Sequence, residues 1–183
     1  MALAATLTAS AGPTPAPRAP APGPALVILV RHAEKATTPP DDPPLSSAGR
    51  ARAAALADAV RDAGITAIVT SDRPRTQETA APLAERRHLT PIVVRGGAGA
   101  EQHAASVAAA VLGAGGVVLV VDHSNTLPLI MRALGGPAVP AICDMEFSNL
   151  YLLERQDGGP AHLVYAHYGA PDPPHDANCA AAR

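Results

Sequence analysis

Residues 25–35 read ALVILVRHAEK: an unbroken small and aliphatic run from Ala25 to Val30, then Arg31-His32-Ala33-Glu34-Lys35. A continuous β-branched and aliphatic run of that length is what a strand buried on both faces requires. Both faces are covered when the sheet is mostly parallel and helices lie on each side of it. The polar residues that follow then stand at the carboxyl end of the strand, the edge where open parallel sheets bind their ligands.

Working outward, strand signals alternate with helix signals. Ser46 or Ser47 caps a helix that carries Leu56 and Val60 on one face and stops at Gly64. Ala67 to Thr70 reads as the second strand, and Ser71 or Asp72 caps a helix running through Thr79, Leu83 and Arg87. Pro91 to Val94 gives a third strand, followed by a Gly-rich loop at 96–99. The Ala-rich segment Gln102 to Leu112, ended by Gly113, predicts a helix packed through Val107 and Val111. Val117 to Val121 is a fourth strand, and Asn125 to Leu134 is a helix with Pro128 in its first turn and Gly135-Gly136 as its stop. Asn149–Leu153 and His162–Tyr165 flank Asp157-Gly158-Gly159 as a hairpin, which adds an antiparallel edge. The expectation is an α/β three-layer sandwich: a mostly parallel sheet, helices on both faces and an antiparallel edge strand.

The chain has 183 residues, 14 Lys and Arg against 16 Asp and Glu, and a net charge of −2. One domain of about that length buries most of a core. Near neutrality excludes a general nucleic-acid binder, which needs a basic field to neutralise phosphates. Aromatic residues are 2% of the chain and lie late, at Phe147, Tyr151, Tyr165 and Tyr168, so there is no early stacking platform for bases. The longest apolar runs, Ala25–Val30 and Val117–Val121, fall far short of the ~20 residues of a membrane helix. A small-molecule partner is the expectation, with no nucleic acid and no membrane; oligomeric state is not legible.

Three polar clusters directly follow predicted strands: Arg31 to Lys35, Ser71 to Arg75, and His123-Ser124-Asn125. In a parallel sheet they share one edge, so two histidines and two arginines converge there. A lone His or Arg at a strand end is ordinarily a hydrogen-bonded or solvated loop residue; the joint placement makes the case. Such a set suits phosphoryl transfer. A neutral imidazole is a nucleophile, and two guanidiniums grip a phosphoryl group through charge-assisted bonds. Arg31 and Arg75 would also keep His32 deprotonated, since positive neighbours disfavour imidazolium. His123 would donate to the same oxygens, with the amides of Ser124 and Asn125 at the next helix start adding to the substrate site.

Arg31-His32-Ala33-Glu34 after a strand resembles the RHG/RHA signature of the histidine phosphatase superfamily, in its phosphoglycerate-mutase-like branch. Leu45-Ser46-Ser47-Ala48-Gly49-Arg50 is similar to that family's L-[ST]-x-x-G segment. The stretch Ser71 to Ala80 resembles its second-arginine motif S-x-x-x-R-x-x-x-T-A, and VLVVDHSNT, 118–126, its strand and second histidine. Four motifs in the expected order across about residues 25–168 make a specific signal. The resemblance implies a phosphomonoester hydrolase, independent of metals and cofactors, with His32 as the phosphorylated residue and Arg31, Arg75 and His123 completing the pocket. A weakly active phosphate-ligand-binding module is the alternative. A phosphomutase is disfavoured because short loops leave little from which to build a closed lid.

The family's acid, which protonates the leaving oxygen, has no recognisable segment here. Glu101, in GGAGAEQH, is nominated on general-acid grounds, against its bland reading as a helix-start charge. Glu34 reads as a structural partner, and Asp122 as solvated or orienting a neighbour. Gly97 to Gln102 imitates part of a dinucleotide turn but lacks its third glycine, and His103, Asp122 and His123 lack zinc-like spacing.

Residues 1–24, with six prolines, read as an unpacked tail or a signal-peptide remnant, so the domain is expected over 25–168 and a flexible tail over 169–183. The two cysteines, Cys143 and Cys179, are compatible with one disulfide in an oxidising compartment. Localisation stays open, with export one possibility.

Overall fold

A computed structural model describes residues 26–97, 99–155 and 160–174. The elements run β1 (Leu26–Arg31), α1 (Ser47–Ala59), β2 (Ala67–Ser71), α2 (Pro74–Arg87), β3 (Ile92–Val94), α3 (Ala100–Ala114), β4 (Val117–Asp122), α4 (Leu127–Ala133), β5 (Asn149–Glu154) and β6 (His162–His167). The sheet order is β3-β2-β4-β1-β5-β6. β3, β2, β4 and β1 are mutually parallel; β5 runs antiparallel to β1, and β6 to β5. The α/β sandwich with an antiparallel edge is therefore the architecture of the chain.

The aliphatic runs work as the two-sided burial rule requires. Along β1, Val27 and Leu29 enter one core with α3 and α4, while Ile28 and Val30 enter the other with α1 and α2. β4 divides in the same way, Val118 and Val120 to the first core and Leu119 and Val121 to the second. Each such side chain, removed wholly from water, contributes about 1.5–3 kcal/mol, so the two central strands anchor both layers.

Several boundaries differ from the sequence reading for local reasons. Ser71 ends β2, and α2 starts at Pro74 with Arg73 as an extended cap that gives no side-chain bond. Proline at the first helical position supplies the fixed φ there, so the capping hydroxyl is dispensable. α3 starts at Ala100, two residues early, and α4 at Leu127 after a turn over Ser124 to Thr126. Ser46 does cap α1, accepting from the Gly49 amide at 3.1 Å. The hairpin turn at Asp157-Gly158-Gly159 and the segment 1–24 lie outside the described residues.

The C-terminal segment is not a free tail from 169 onward. Asp172 accepts from the Phe147 and Ser148 amides at 2.9 and 3.0 Å, and Arg52 donates to the Ala170 carbonyl at 2.9 Å. Buried Arg52 also pairs with Glu34 at 2.8 Å and donates to the Tyr168 carbonyl, tying the loop after β1 to α1 and to this segment. Glu34 thus has the structural role expected of it. Cys143 is disulfide-bonded, and its expected partner Cys179 lies outside the described residues. Among the described residues no helix is long and apolar enough to cross a membrane.

The L-S-S-A-G segment has a steric reason. After Glu34 the chain loops out and returns, closed by Ala36 N–H to the Pro44 carbonyl at 2.8 Å and Ser46 N–H to the Glu34 carbonyl at 2.9 Å. The first turn of α1 then sits so close to this loop that a Cβ on Gly49 would collide with the Glu34 carbonyl. Gly49→Ala is expected to cost about 1–3 kcal/mol, as overpacking against rigid backbone does, measured by denaturant unfolding; an unchanged midpoint would show that the approach is loose.

Candidate active site

Strand register assembles the site. Arg31 pairs with Asp122 across β1 and β4, and the next amide, His32 N–H, donates to the Asp122 carbonyl at 2.8 Å. His32 and His123 therefore leave adjacent strand ends side by side, their ring centroids 5.3 Å apart and edge-on. On the other side of β4, Thr70 pairs with Val121, which brings Ser71 to the same edge. Its hydroxyl lies 3.0 Å from His123 Nε2.

The His32 ring is oriented by its own loop. Nδ1 lies 2.8 Å from the Ala33 carbonyl, which can only accept, so the proton is assigned to Nδ1 and the Nε2 lone pair is left open. Ala33 N–H donates to Thr79 Oγ1 at 2.9 Å, and Thr79 in turn donates to the Arg75 carbonyl at 2.7 Å. The threonine of the second-arginine motif is thus the post that fixes the histidine loop to α2. Burial lowers the His32 pKa to about 3, with Arg31, His123 and Arg75 pushing the same way against the Ala33 carbonyl. His123 is lowered to about 4, again chiefly by burial. Both rings are neutral near pH 7.

Arg31 is clasped by the loop after α4. It donates to the Cys143 and Glu146 carbonyls at 2.7 and 3.2 Å, faces Asp144 at 3.6 Å, and its guanidinium carbon lies 4.3 Å from the Phe147 ring centroid. Arg75, from the first turn of α2, meets Asp42 at 3.1 Å. Beneath these, Asp122 is wholly buried and accepts from Thr126 Oγ1 at 2.6 Å, His123 N–H at 2.9 Å and His103 Nε2 at 3.0 Å. Burial alone would raise its pKa; hydrogen bonds from His103 and Thr126 outweigh that and hold it low. The same bond to Asp122 raises the pKa of His103.

A cavity of about 580 Å³ opens at this edge, lined among others by Arg31, His32, Arg75 and His123. Ser124 and Asn125 line it too, from the turn that leads into α4. Glu101 is not brought in. The buried residues of α3 are His103, Ala104, Val107, Ala108 and Val111, which turns Glu101 outward to pair with Arg132 at 2.8 Å with its side chain 73% exposed. The carboxylates that do line the cavity are Asp72 and Asp144. Asp122 is neither solvated nor idle, and His103, weighed in the sequence only as a metal ligand, is its buried partner.

The titration of these rings has a defined sign. A histidine with a lowered folded pKa adds stability that is complete above its ordinary value of about 6.5 and is lost as pH falls below it, because the unfolded chain takes the proton first. His103, raised, adds stability below that value and loses it as pH rises through its folded pKa. In a histidine-resolved NMR titration from about pH 7.5 to about pH 5, His32 and His123 are expected to stay neutral while His103 is protonated, with the melting temperature falling toward pH 5. Protonation of His32 near its ordinary value would show that the ring is not desolvated.

Residues 27–97 match the family profile of the histidine phosphatase superfamily (branch 1). A protein of Mycobacterium tuberculosis, "Uncharacterized protein Rv0525", is 53% identical over 45 residues, a stretch that is 25% of this chain and 22% of that protein. Among solved structures, mycobacterial glucosyl-3-phosphoglycerate phosphatase Rv2419c is 18% identical, with a TM-score of 0.59 over 75% of this chain and 96% of its own. The protein histidine phosphatase SixA, complexed with tungstate, is 17% identical, with a TM-score of 0.59 over 78% and 96%. These two likenesses are of fold. The matched profile reaches from β1 past the second arginine, so this stretch is similar to the histidine phosphatase superfamily, and β4 delivers a second histidine beside the first.

Proposed function

We propose that the protein is a phosphomonoester hydrolase that works through a phosphohistidine on His32, on small phosphorylated substrates and without a metal or cofactor. One observation carries the reading: a buried, neutral imidazole whose Nδ1 is committed to a carbonyl stands at a cavity lined among others by Arg31, Arg75 and His123. The profile match over residues 27–97 supports it, as does the fold shared with solved phosphatases.

In the first step the His32 Nε2 lone pair attacks phosphorus, the P–O bond to the leaving group breaks, and the departing oxygen takes a proton. Arg31 and Arg75 balance the charge on the equatorial oxygens through transfer. Ser71 engages His123 Nε2, and His123 Nδ1 is buried with no protein partner among the described residues, so the ring must shift to donate to a phosphoryl oxygen. For the proton donor we select Asp72, since Asp144, the other cavity carboxylate, is paired with Arg31. In the second step water attacks phosphorus, the P–N bond breaks, the water proton passes to the Asp72 carboxylate, and orthophosphate leaves.

A phosphate-binding module of the same fold is the second reading, favoured by the outward position of Glu101. Hydrolysis of p-nitrophenyl phosphate in the presence of EDTA separates the two. Turnover is expected to survive chelation, to vanish in His32→Ala, and to fall by about 10²–10³ in Arg75→Ala with an unchanged melting curve. Binding of phosphate without turnover would favour the module; normal turnover in Arg75→Ala would contradict the pocket assignment.

Asp72→Asn is expected to slow alkyl phosphates by about 10²-fold or more while slowing p-nitrophenyl phosphate much less, because a good leaving group needs little protonation. Equal losses on both substrates would remove Asp72 from the role.

A further inference from the structure

Between Ala36 and Pro44 the chain makes a short excursion containing four prolines, at 39, 40, 43 and 44. Its ends are pinned by the Ala36–Pro44 backbone bond, the Lys35–Leu45 bridge, and Leu45 N–H donating to Glu78 at 2.8 Å. Proline fixes φ at four of these positions, so the loop holds its tip in place with little conformational freedom. That tip presents Asp42, whose carboxylate lies 3.1 Å from Arg75 Nη1 and 3.6 Å from Arg73 Nη1. Both arginines line the cavity.

A guanidinium offers a limited set of donor directions, and a carboxylate and a phosphate compete for the same ones. Asp42 already occupies part of that set on Arg75. It also separates two neighbouring cations, since Arg73 repels the Arg75 charge that Asp42 favours. An arriving dianion must displace this carboxylate or share the guanidinium with it, at a cost in repulsion between like charges. Because the loop is pinned at both ends, the carboxylate stays within reach and re-engages Arg75 when the dianion leaves.

We propose that Asp42 is the resident counter-anion of the phosphate site, weakening the grip of Arg75 on free orthophosphate so that product is released. The inference rests on the reading of Arg75 as a phosphate-holding residue and adds to it a residue that governs affinity for the product. Asp42 acts through Arg75 and takes no part in bond making.

The test compares wild-type protein with Asp42→Asn, Asp42→Ala and, as a control that removes the same charge from the exposed neighbour, Asp41→Asn. Orthophosphate affinity is measured by isothermal titration calorimetry and as the inhibition constant against p-nitrophenyl phosphate, with melting curves to confirm folding. Both Asp42 variants are expected to bind orthophosphate about tenfold more tightly, and Asp41→Asn to change by less than about twofold. Unchanged or weaker binding in the Asp42 variants would overturn the proposal, by showing that the carboxylate is inert or that it pre-orients Arg75 for phosphate. An equal gain in Asp41→Asn would overturn it as well, by assigning the effect to bulk charge. Calorimetry needs no turnover, so a protein that binds orthophosphate but hydrolyses nothing would contradict the hydrolase reading and still decide this one. A wild-type protein that neither binds nor hydrolyses would remove both.

Discussion

The site depends on one backbone hydrogen bond, from the His32 amide to the Asp122 carbonyl, which extends the parallel register of β1 and β4 by one residue past the last paired position. Side chains alternate along a strand, and a shift of register by one residue would send His32 and His123 to opposite faces. The bond is secured by the aliphatic residues behind it, since Val27 to Val30 and Val118 to Val121 are wholly buried and divided between two cores. Packing far from the chemistry thereby places two imidazoles against each other at the sheet edge. The polar posts then lock them: Thr79 holds the loop of His32, and Asp122 and Thr126 hold the backbone of His123.

The electrostatics of the site follow from what is buried and what is paired. Two histidines lie among arginines, and with desolvation acting in the same direction neither keeps a proton near neutral pH. The buried carboxylate beneath them would be costly alone, but His103 supplies a compensating hydrogen bond and Thr126 and the His123 amide fill its other acceptor positions. The cationic groups at the cavity are held as well: Arg31 by carbonyls and the face of Phe147, Arg75 by Asp42. These contacts hold the cationic side chains in place at the cavity before any ligand arrives, with Asp42 occupying part of the donor set of Arg75.

Much of this was legible because the informative residues sit in strand-adjacent positions. A continuous aliphatic run can serve only a two-sided strand, so the residues after Val30, Thr70 and Val121 had to share an edge, and four motifs in order carried the family resemblance. Residues reached by long loops or by helix phase were less legible. Glu101 was placed one residue before the expected start of its helix; with α3 beginning at Ala100 and burying His103, it falls on the outer face. Asp42 sits in a proline-rich excursion whose return path cannot be read from spacing. Asp172 is sparse in signal because it caps backbone amides of a loop 25 residues earlier rather than belonging to an element. His103 carried one usable signal, a histidine in an Ala-rich segment, but its partner Asp122 became evident only once α3 was packed on the sheet.

The central claim is that a neutral His32, held with Nε2 open, takes the phosphoryl group itself. The direct measurement is rapid-quench trapping of the enzyme during turnover, followed by peptide mapping under conditions that preserve phosphohistidine. The account predicts a phosphoryl group on the peptide containing His32, labile to acid and absent in His32→Ala. Full turnover with no phosphorylated intermediate, or a phosphoryl group on another residue, would contradict it.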